Sequence, residues 1–111
     1  MDDSFLIEMG KRIHEKRKSL RLSQEELAER VEISKQTVSR AENGQRELGA
    51  MSVARLAKAL ETSADYLLGG EHTDTDVLIL QDKIKNLDDR QYRYLEEFIS
   101  IFVKMCEEGS A

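Results

Sequence analysis

The chain has 111 residues, 22 acidic against 17 basic, for a net charge of −5. No run of about 18 apolar residues exists, so no membrane span is expected. The single cysteine, Cys106, excludes an internal disulfide and fits a reducing cytoplasm. Proline is absent and strand-like alternation is missing, so the expected fold is all-α.

In chain order, the first helix is predicted over about Ser4 to Leu20. Leu6, Met9, Ile13 and Leu20 fall on one stripe, as in a core-facing helix. The short apolar patch Phe5–Ile7 lies between acidic residues and is not expected to act as a signal sequence. His14 flanks the stripe and is expected at the surface or core edge, not as a metal ligand. The only other histidine, His72, lies in a polar stretch far along the chain. Lys11, Arg12, Lys16, Arg17, Lys18 and Arg21 cluster on this helix and just after it.

Ser23 with Glu26 three residues on makes a capping box that opens a second helix, Gln24 to Val31. Leu27, Ala28 and Val31 give its apolar face, and Ala28 is small enough to admit a crossing helix. The turn is Glu32-Ile33. Ser34 then caps a third helix, Lys35 to Asn43, in which Val38 and Ala41 point inward and Gly44 terminates. Lys35, Gln36, Thr37, Ser39 and Arg40 face outward. None is acidic, and all are long or hydrogen-bonding, which suits a helix that reads base edges in a major groove.

Gln45–Ala50 reads as a loop holding Arg46. A fourth helix follows at about Met51 to Leu60, and Ser63 caps a fifth, Ala64–Leu68. Residues 69–75, GGEHTDT, are a linker by composition whose polar residues are expected to bury nothing. The domain boundary is therefore placed after Gly70, with residues 1–70 as one domain and 71–111 as a two-helix appendage. Its helices are predicted at Asp76–Asn86 and from Asp89 to about Glu107, the latter behind a second capping box, Asp88 with Gln91.

Residues 1–70 hold 12 basic and 12 acidic side chains, whereas 71–111 hold 5 and 10. The acidic excess is thus C-terminal, and the neutral first part can still bind DNA where its positive charge clusters. In the last helix Leu95, Ile99, Phe102 and Cys106 form one stripe, with Tyr94, Phe98, Ile101 and Met105 beside it. That face is broader than a surface helix needs. An appendage too small for its own core should bury such a face against another chain. Leu80, Ile84, Leu87, Leu95, Phe98, Ile99, Phe102 and Met105 are the expected homodimer interface. The competing arrangement folds these helices back on the N-terminal domain. Cys106 is expected as a buried helix cysteine rather than a redox sensor.

Taken together, KRIHEKRKSLRLSQEELAERV, ISKQTVSRAENG and VARLAKALETSADYLLGG resemble the Xre/Cro-like helix-turn-helix proteins, which include the lambdoid phage repressors. The likeness covers about Met9 to Gly70. It implies a five-helix domain whose third helix enters the major groove, followed here by a C-terminal helical hairpin. By position it implies Lys35, Gln36 and Arg40 as base readers, with Thr37 and Ser39 as secondary ones. Ser23, Gln24, Asn43 and Arg46 would contact phosphate, and Arg17 with Glu42 would form an ion pair between helices 1 and 3. The implied partner is double-stranded DNA, bound as a homodimer, and the implied role is transcriptional regulation, most simply repression, in the cytoplasm.

The alternative uses the tail to bind a protein partner or antirepressor, in the manner of an antitoxin. About 40 residues after the linker leave no room for a small-molecule sensor or protease domain. No cofactor, metal-ligand cluster or enzyme motif is visible. Two positions depart from the family pattern. Glu32 stands where glycine is usual in the turn. Ala41 is small where a larger apolar residue is common, and helix 1 or Met51 is expected to fill the gap.

Overall fold

The computed structural model describes residues 3–109. The described residues form seven helices and no strand: α1 Asp3–Ser19, α2 Gln24–Val31, α3 Lys35–Glu42, α4 Ala50–Ala59, α5 Ala64–Gly69, α6 Asp74–Ile84 and α7 Asp89–Gly109. They divide into two compact units, Met1–Leu80 and Gln81–Ala111. None of the helices is long and apolar enough to cross a membrane.

The serine caps set the helix starts. The Glu26 amide donates to Ser23 Oγ at 3.0 Å, and the Ser23 amide donates back to Glu26 at 3.0 Å. Ser34 Oγ accepts from the Thr37 amide at 3.0 Å, and Ser63 Oγ from the Tyr66 amide at 3.0 Å. Each cap satisfies an amide that the first helical turn leaves unpaired.

Around these helices, Met9 and Ile13 of α1 meet Leu27 and Val31 of α2, Val38 of α3, Leu56 and Leu60 of α4 and Leu67 of α5, all of them buried. The helix 1 stripe is thus the core face, with Leu6 and Leu20 packed at its edges. Ala28 is buried as well, where α2 meets its neighbours.

Three of the helix ends close through a left-handed residue that is not glycine. These are Arg21 (φ 58°) after α1, Glu32 (φ 62°) after α2 and Glu61 (φ 56°) after α4. In each case the following amide returns to the helix: Leu22 to the Arg17 carbonyl, Ile33 to that of Ala28, and Thr62 to that of Ala57. These bonds satisfy carbonyls that a helix C-terminus leaves open. After α3 the same closure uses Gly44 (φ 70°), with the Gln45 amide donating to the Arg40 carbonyl at 2.8 Å.

At Ala41, α1 comes close, as the expected filling from helix 1 requires. Met51 is 66% exposed and takes no part. At Gly10 the α1 backbone presses directly on the end of α3. A Cβ there would lie 2.6 Å from the Glu42 carbonyl oxygen and closer still to that of Ala41. Two small residues, Gly10 and Ala41, let the two backbones touch.

The polar stretch after α5 is not the passive linker that its composition predicts. Gly70 ends α5 (φ 76°), but α6 already begins at Asp74. The Asp76 carboxylate accepts from the Thr73 amide (2.9 Å), the Ser63 amide (2.9 Å), Ser63 Oγ (2.8 Å) and Thr62 Oγ1 (2.8 Å). His72 stacks on Tyr66 with ring centroids 4.4 Å apart. One carboxylate therefore caps the start of α6 and the start of α5 together.

The Asp88–Gln91 box opens α7, with bonds of 3.0 and 2.8 Å. No residue of α7 is buried in the single chain, and Phe98, Ile99, Ile101, Phe102 and Met105 are all exposed. Cys106 is exposed too, contrary to the expected buried cysteine, as are its α7 neighbours Phe102, Val103 and Met105.

Candidate nucleic-acid interface

At the centre of the helix-turn-helix a buried carboxylate joins three helices. Arg17 Nε donates to Glu42 Oε2 at 2.7 Å, and Arg17 Nη2 to Oε1 at 3.0 Å. Arg17 Nη1 donates to the Leu22 carbonyl at 2.8 Å. Gln24 Nε2 donates to the same Oε1 at 3.1 Å, and His14 Nδ1 lies 2.9 Å from it. The Glu42 side chain is only 3% exposed. Burial pushes its carboxyl up, but the hydrogen bonds from Arg17, His14 and Gln24 outweigh this and hold it below the ordinary carboxylate range.

A bidentate Arg–carboxylate pair has a fixed plane. Arg17 belongs to α1, Glu42 to α3 and Gln24 to the first turn of α2. The knot therefore fixes the angle at which α3 leaves the domain. Desolvation of the two charges offsets much of their attraction. The knot's contribution is orientation.

Along α3, Lys35, Gln36 and Arg40 are exposed, while Thr37 and Ser39 are half-buried. Thr37 Oγ1 lies 2.8 Å from Ser34 Oγ, so its hydroxyl is engaged at the helix start. Asn43 Nδ2 donates to the Ser39 carbonyl at 2.9 Å, which ties the side chain down at the helix end. Arg46 is exposed in the loop before α4. Ser23 Oγ is engaged in its cap, and one amide hydrogen of Gln24 is taken by Glu42.

The basic cluster of α1 is divided by the fold. Arg17 is buried, Arg12 Nε donates to the Tyr66 carbonyl at 3.3 Å, and the Lys16 ammonium sits 5.2 Å from the centre of the Tyr66 ring. Those three serve the interior and the α1–α5 contact. Lys18 and Arg21 instead line a shallow polar depression with Ser23, Gln24 and Lys35, and with the carboxylates of Glu25 and Glu26. This places two basic residues of the α1 end beside the start of α2, whose first turn carries Glu25 and Glu26. A second depression, lined by Lys11, His14, Gln24 and Asn43, opens directly over Glu42.

Sequence reasoning passed over His14 as a partner of Glu42. Its spacing from Arg17, one helical turn, is the signal that points to it once Arg17 is paired. The residues expected at a homodimer interface differ in exposure. Leu80, Phe98, Ile99, Phe102 and Met105 are exposed, and Ile84, Leu87 and Leu95 are half-buried. No group of three or more metal-ligating side chains stands together among the described residues.

A helix-turn-helix family model matches residues 13–67. The chain is 38% identical over 69 residues to repressor protein C2 of Salmonella phage P22. That match takes in 62% of this chain and 32% of the phage protein, so the chain spans about a third of that relative's length. It is 40% identical over 70 residues to an uncharacterized HTH-type transcriptional regulator of Methanothermobacter thermautotrophicus, covering 63% of this chain and 88% of that one. Among solved structures, the restriction-modification controller protein C.AhdI of Aeromonas hydrophila matches with a TM-score of 0.54 and 34% identity. The likeness covers 56% of this chain and 94% of that one. With the helix-turn-helix geometry, the capped third helix and relatives matched nearly end to end, the chain belongs to the Xre-like helix-turn-helix family of DNA-binding transcription regulators.

Proposed function

We propose that this chain is a sequence-specific regulator, a repressor in its simplest form, that binds a two-fold symmetric operator as a homodimer in the cytoplasm. The observation that carries this is the exposed edge of α3, Lys35, Gln36 and Arg40, on a helix held by the buried Arg17–Glu42 pair. In a major groove Gln36 can pair with adenine through two bonds, and Arg40 or Lys35 with guanine. Thr37 and Ser39 are half-buried and supply shorter contacts. Ser23, Gln24, Asn43 and Arg46 flank the reading helix and hold phosphates on either side, setting its register.

One such unit makes too few contacts for tight specific binding, so two copies must act together. Half-sites then lie about 34 Å apart, one turn of DNA. The tail supports this reading, because α7 exposes Phe98, Ile99, Phe102 and Met105 along one apolar face. With Leu80, Ile84, Leu87 and Leu95 it forms a surface for a second copy. An antitoxin-like use of the same face would seat a different protein, and purification then yields an obligate hetero-complex instead of a self-dimer.

Selection of bound sequences from a random DNA pool tests the proposal. Enrichment of a two-fold symmetric site is the expected result. Failure to enrich any sequence, or a single asymmetric half-site bound by a monomer, overturns it. Affinity for the selected site should also fall steeply with salt, since each phosphate contact releases a counterion.

A further inference from the structure

We infer that Glu42 is a positioning residue for DNA binding: its buried carboxylate turns the Gln24 amide so that a hydrogen, and not the carbonyl oxygen, meets a backbone phosphate. This rests on the DNA-binding reading above, which takes Gln24 as a phosphate contact. It assigns to Glu42 a role beyond its pairing with Arg17.

The two ends of a glutamine amide have nearly the same shape and opposite chemistry. The nitrogen carries two donors, and the oxygen only accepts. The last side-chain torsion is broad and roughly two-fold, so a free glutamine presents either end. Gln24 does not have that choice. Its Nε2 donates to Glu42 Oε1 at 3.1 Å. Arg17 holds Glu42 ionised with bonds of 2.7 and 3.0 Å, so both carboxylate oxygens are acceptors. A half-turn of the amide sets the Gln24 oxygen against a carboxylate oxygen. The Glu42 side chain is 3% exposed, so solvent screens that repulsion poorly.

Glu42 takes one of the two hydrogens on Nε2. Among the described residues the Gln24 side chain has no second hydrogen-bond partner, so the other hydrogen is available to a ligand. The two N–H bonds diverge, and tying one to the interior aims the other away from Glu42. Gln24 lines both depressions described above. With Arg17 matched by Glu42, the first holds Lys18, Arg21 and Lys35 against Glu25 and Glu26. Glu26 is further occupied in capping the Ser23 amide. The second holds Lys11 against Glu15. The balance is basic on the first side and even on the second, so a phosphate approaches Gln24 from the side of Lys18, Arg21 and Lys35. One carboxylate thus fixes the angle of α3 and aims a donor from α2, which sets base readers and a phosphate contact in one register.

The test replaces single phosphates of the selected operator with uncharged methylphosphonates and measures affinity for each. In the parent chain, replacing the phosphate that meets Gln24 should cost about tenfold per half-site, the loss of one hydrogen bond to a charged group. Gln24→Met identifies that phosphate, because in this variant its replacement costs nothing further. Glu42→Gln should lose the effect of the same phosphate, since an amide there can face Gln24 with either end. The other phosphates should keep their full effect. Adding Gln24→Met to Glu42→Gln should weaken binding no further. Where Glu42→Gln fails to fold, Arg17→Met with Glu42→Met takes its place, because apolar replacement of both partners of a buried pair is often neutral for stability.

A folded Glu42 variant that keeps the full tenfold effect at the Gln24 phosphate overturns the inference. So does one that weakens every phosphate contact alike, the mark of a carboxylate that sets only the angle of α3. So does a Gln24→Met chain with the parent's pattern. Each of these leaves the DNA-binding reading standing, whereas a parent chain that binds no selected DNA overturns both.

Discussion

At the scale of single residues, Glu32 carries the clearest local conflict. Its φ of 62° and ψ of 42° place it in the left-handed region, where a side chain other than glycine costs about 1–2 kcal/mol. The backbone nonetheless closes α2 there, with its amide directed at the Ala28 and Glu29 carbonyls. Glu32→Gly should stabilise the chain by about 1 kcal/mol once glycine's greater freedom in the unfolded state is set against the relief. A thermal melt checks this, and a lower melting temperature contradicts the strain. The departure at Glu32 was visible in the sequence, because its neighbours announce a helix-turn-helix whose turn wants glycine. The same conformation at Arg21 and Glu61 was not visible, since no motif marks where those two helices stop.

Between elements, two contacts decide how the helices meet, and neither has a local signature. The first is the crossing of α1 and α3 at Gly10 and Ala41. Gly10→Ala forces a methyl group into the Ala41 and Glu42 carbonyl oxygens, which are backbone and cannot step aside. A loss of about 2–3 kcal/mol is expected, despite alanine's better helix propensity. Denaturant titration measures it, and a neutral or stabilising result contradicts the close approach. A sequence reader sees a glycine inside a helix and an undersized alanine 31 positions on, with nothing to join them.

The second contact is the Asp76 carboxylate. Burial pushes its carboxyl up, but the Thr73 amide, the Ser63 and Thr62 hydroxyls and the Ser63 amide outweigh this and hold it far below the usual range. The group is ionised in the fold at pH values where the unfolded chain has begun to protonate. Its stabilisation is therefore complete above about pH 4 and is lost as pH falls further. Asp76→Asn should cost about 2 kcal/mol at pH 7 and should flatten the acid limb of a stability–pH curve. An unchanged acid limb in that variant contradicts the assignment. Composition pointed the other way here, because GGEHTDT has the residue content of a tether. The bonds that anchor it come from Thr62 and Ser63, more than ten positions earlier.

For the whole molecule, the helix-turn-helix was legible because its evidence is local. Three serine caps, a capping box and apolar positions at helical spacing are each set within a few residues. The Arg17–Glu42 pair was reached only through family resemblance, and His14 only through the structure, since its partner lies 28 positions away. The tail divides differently. Its helices and their apolar faces are plain in the sequence, and under the proposed function a second copy covers α7. A chain ending after Leu80 should be a folded monomer with much weaker operator binding. Light scattering and a binding titration on the two lengths check this, and a dimeric short form contradicts the proposed role of the tail. The cut belongs after Leu80 and not after Gly70, because losing Asp76 strips the buried Thr62 and Ser63 donors of their acceptor.

The double cap at Asp76 also bears on how the chain breathes. Elements that open independently of a core exchange their amides quickly, whatever the strength of their own helices. The first turn of α6 is not such an element, because freeing it means releasing the start of α5, whose Leu67 is fully buried. The amide of Thr73 should therefore exchange with deuterium on the schedule of the buried core. Amides a few turns later, beyond the reach of that carboxylate, should exchange earlier, so the functional edge of the first domain is drawn by one side chain and not by the pair of glycines before it.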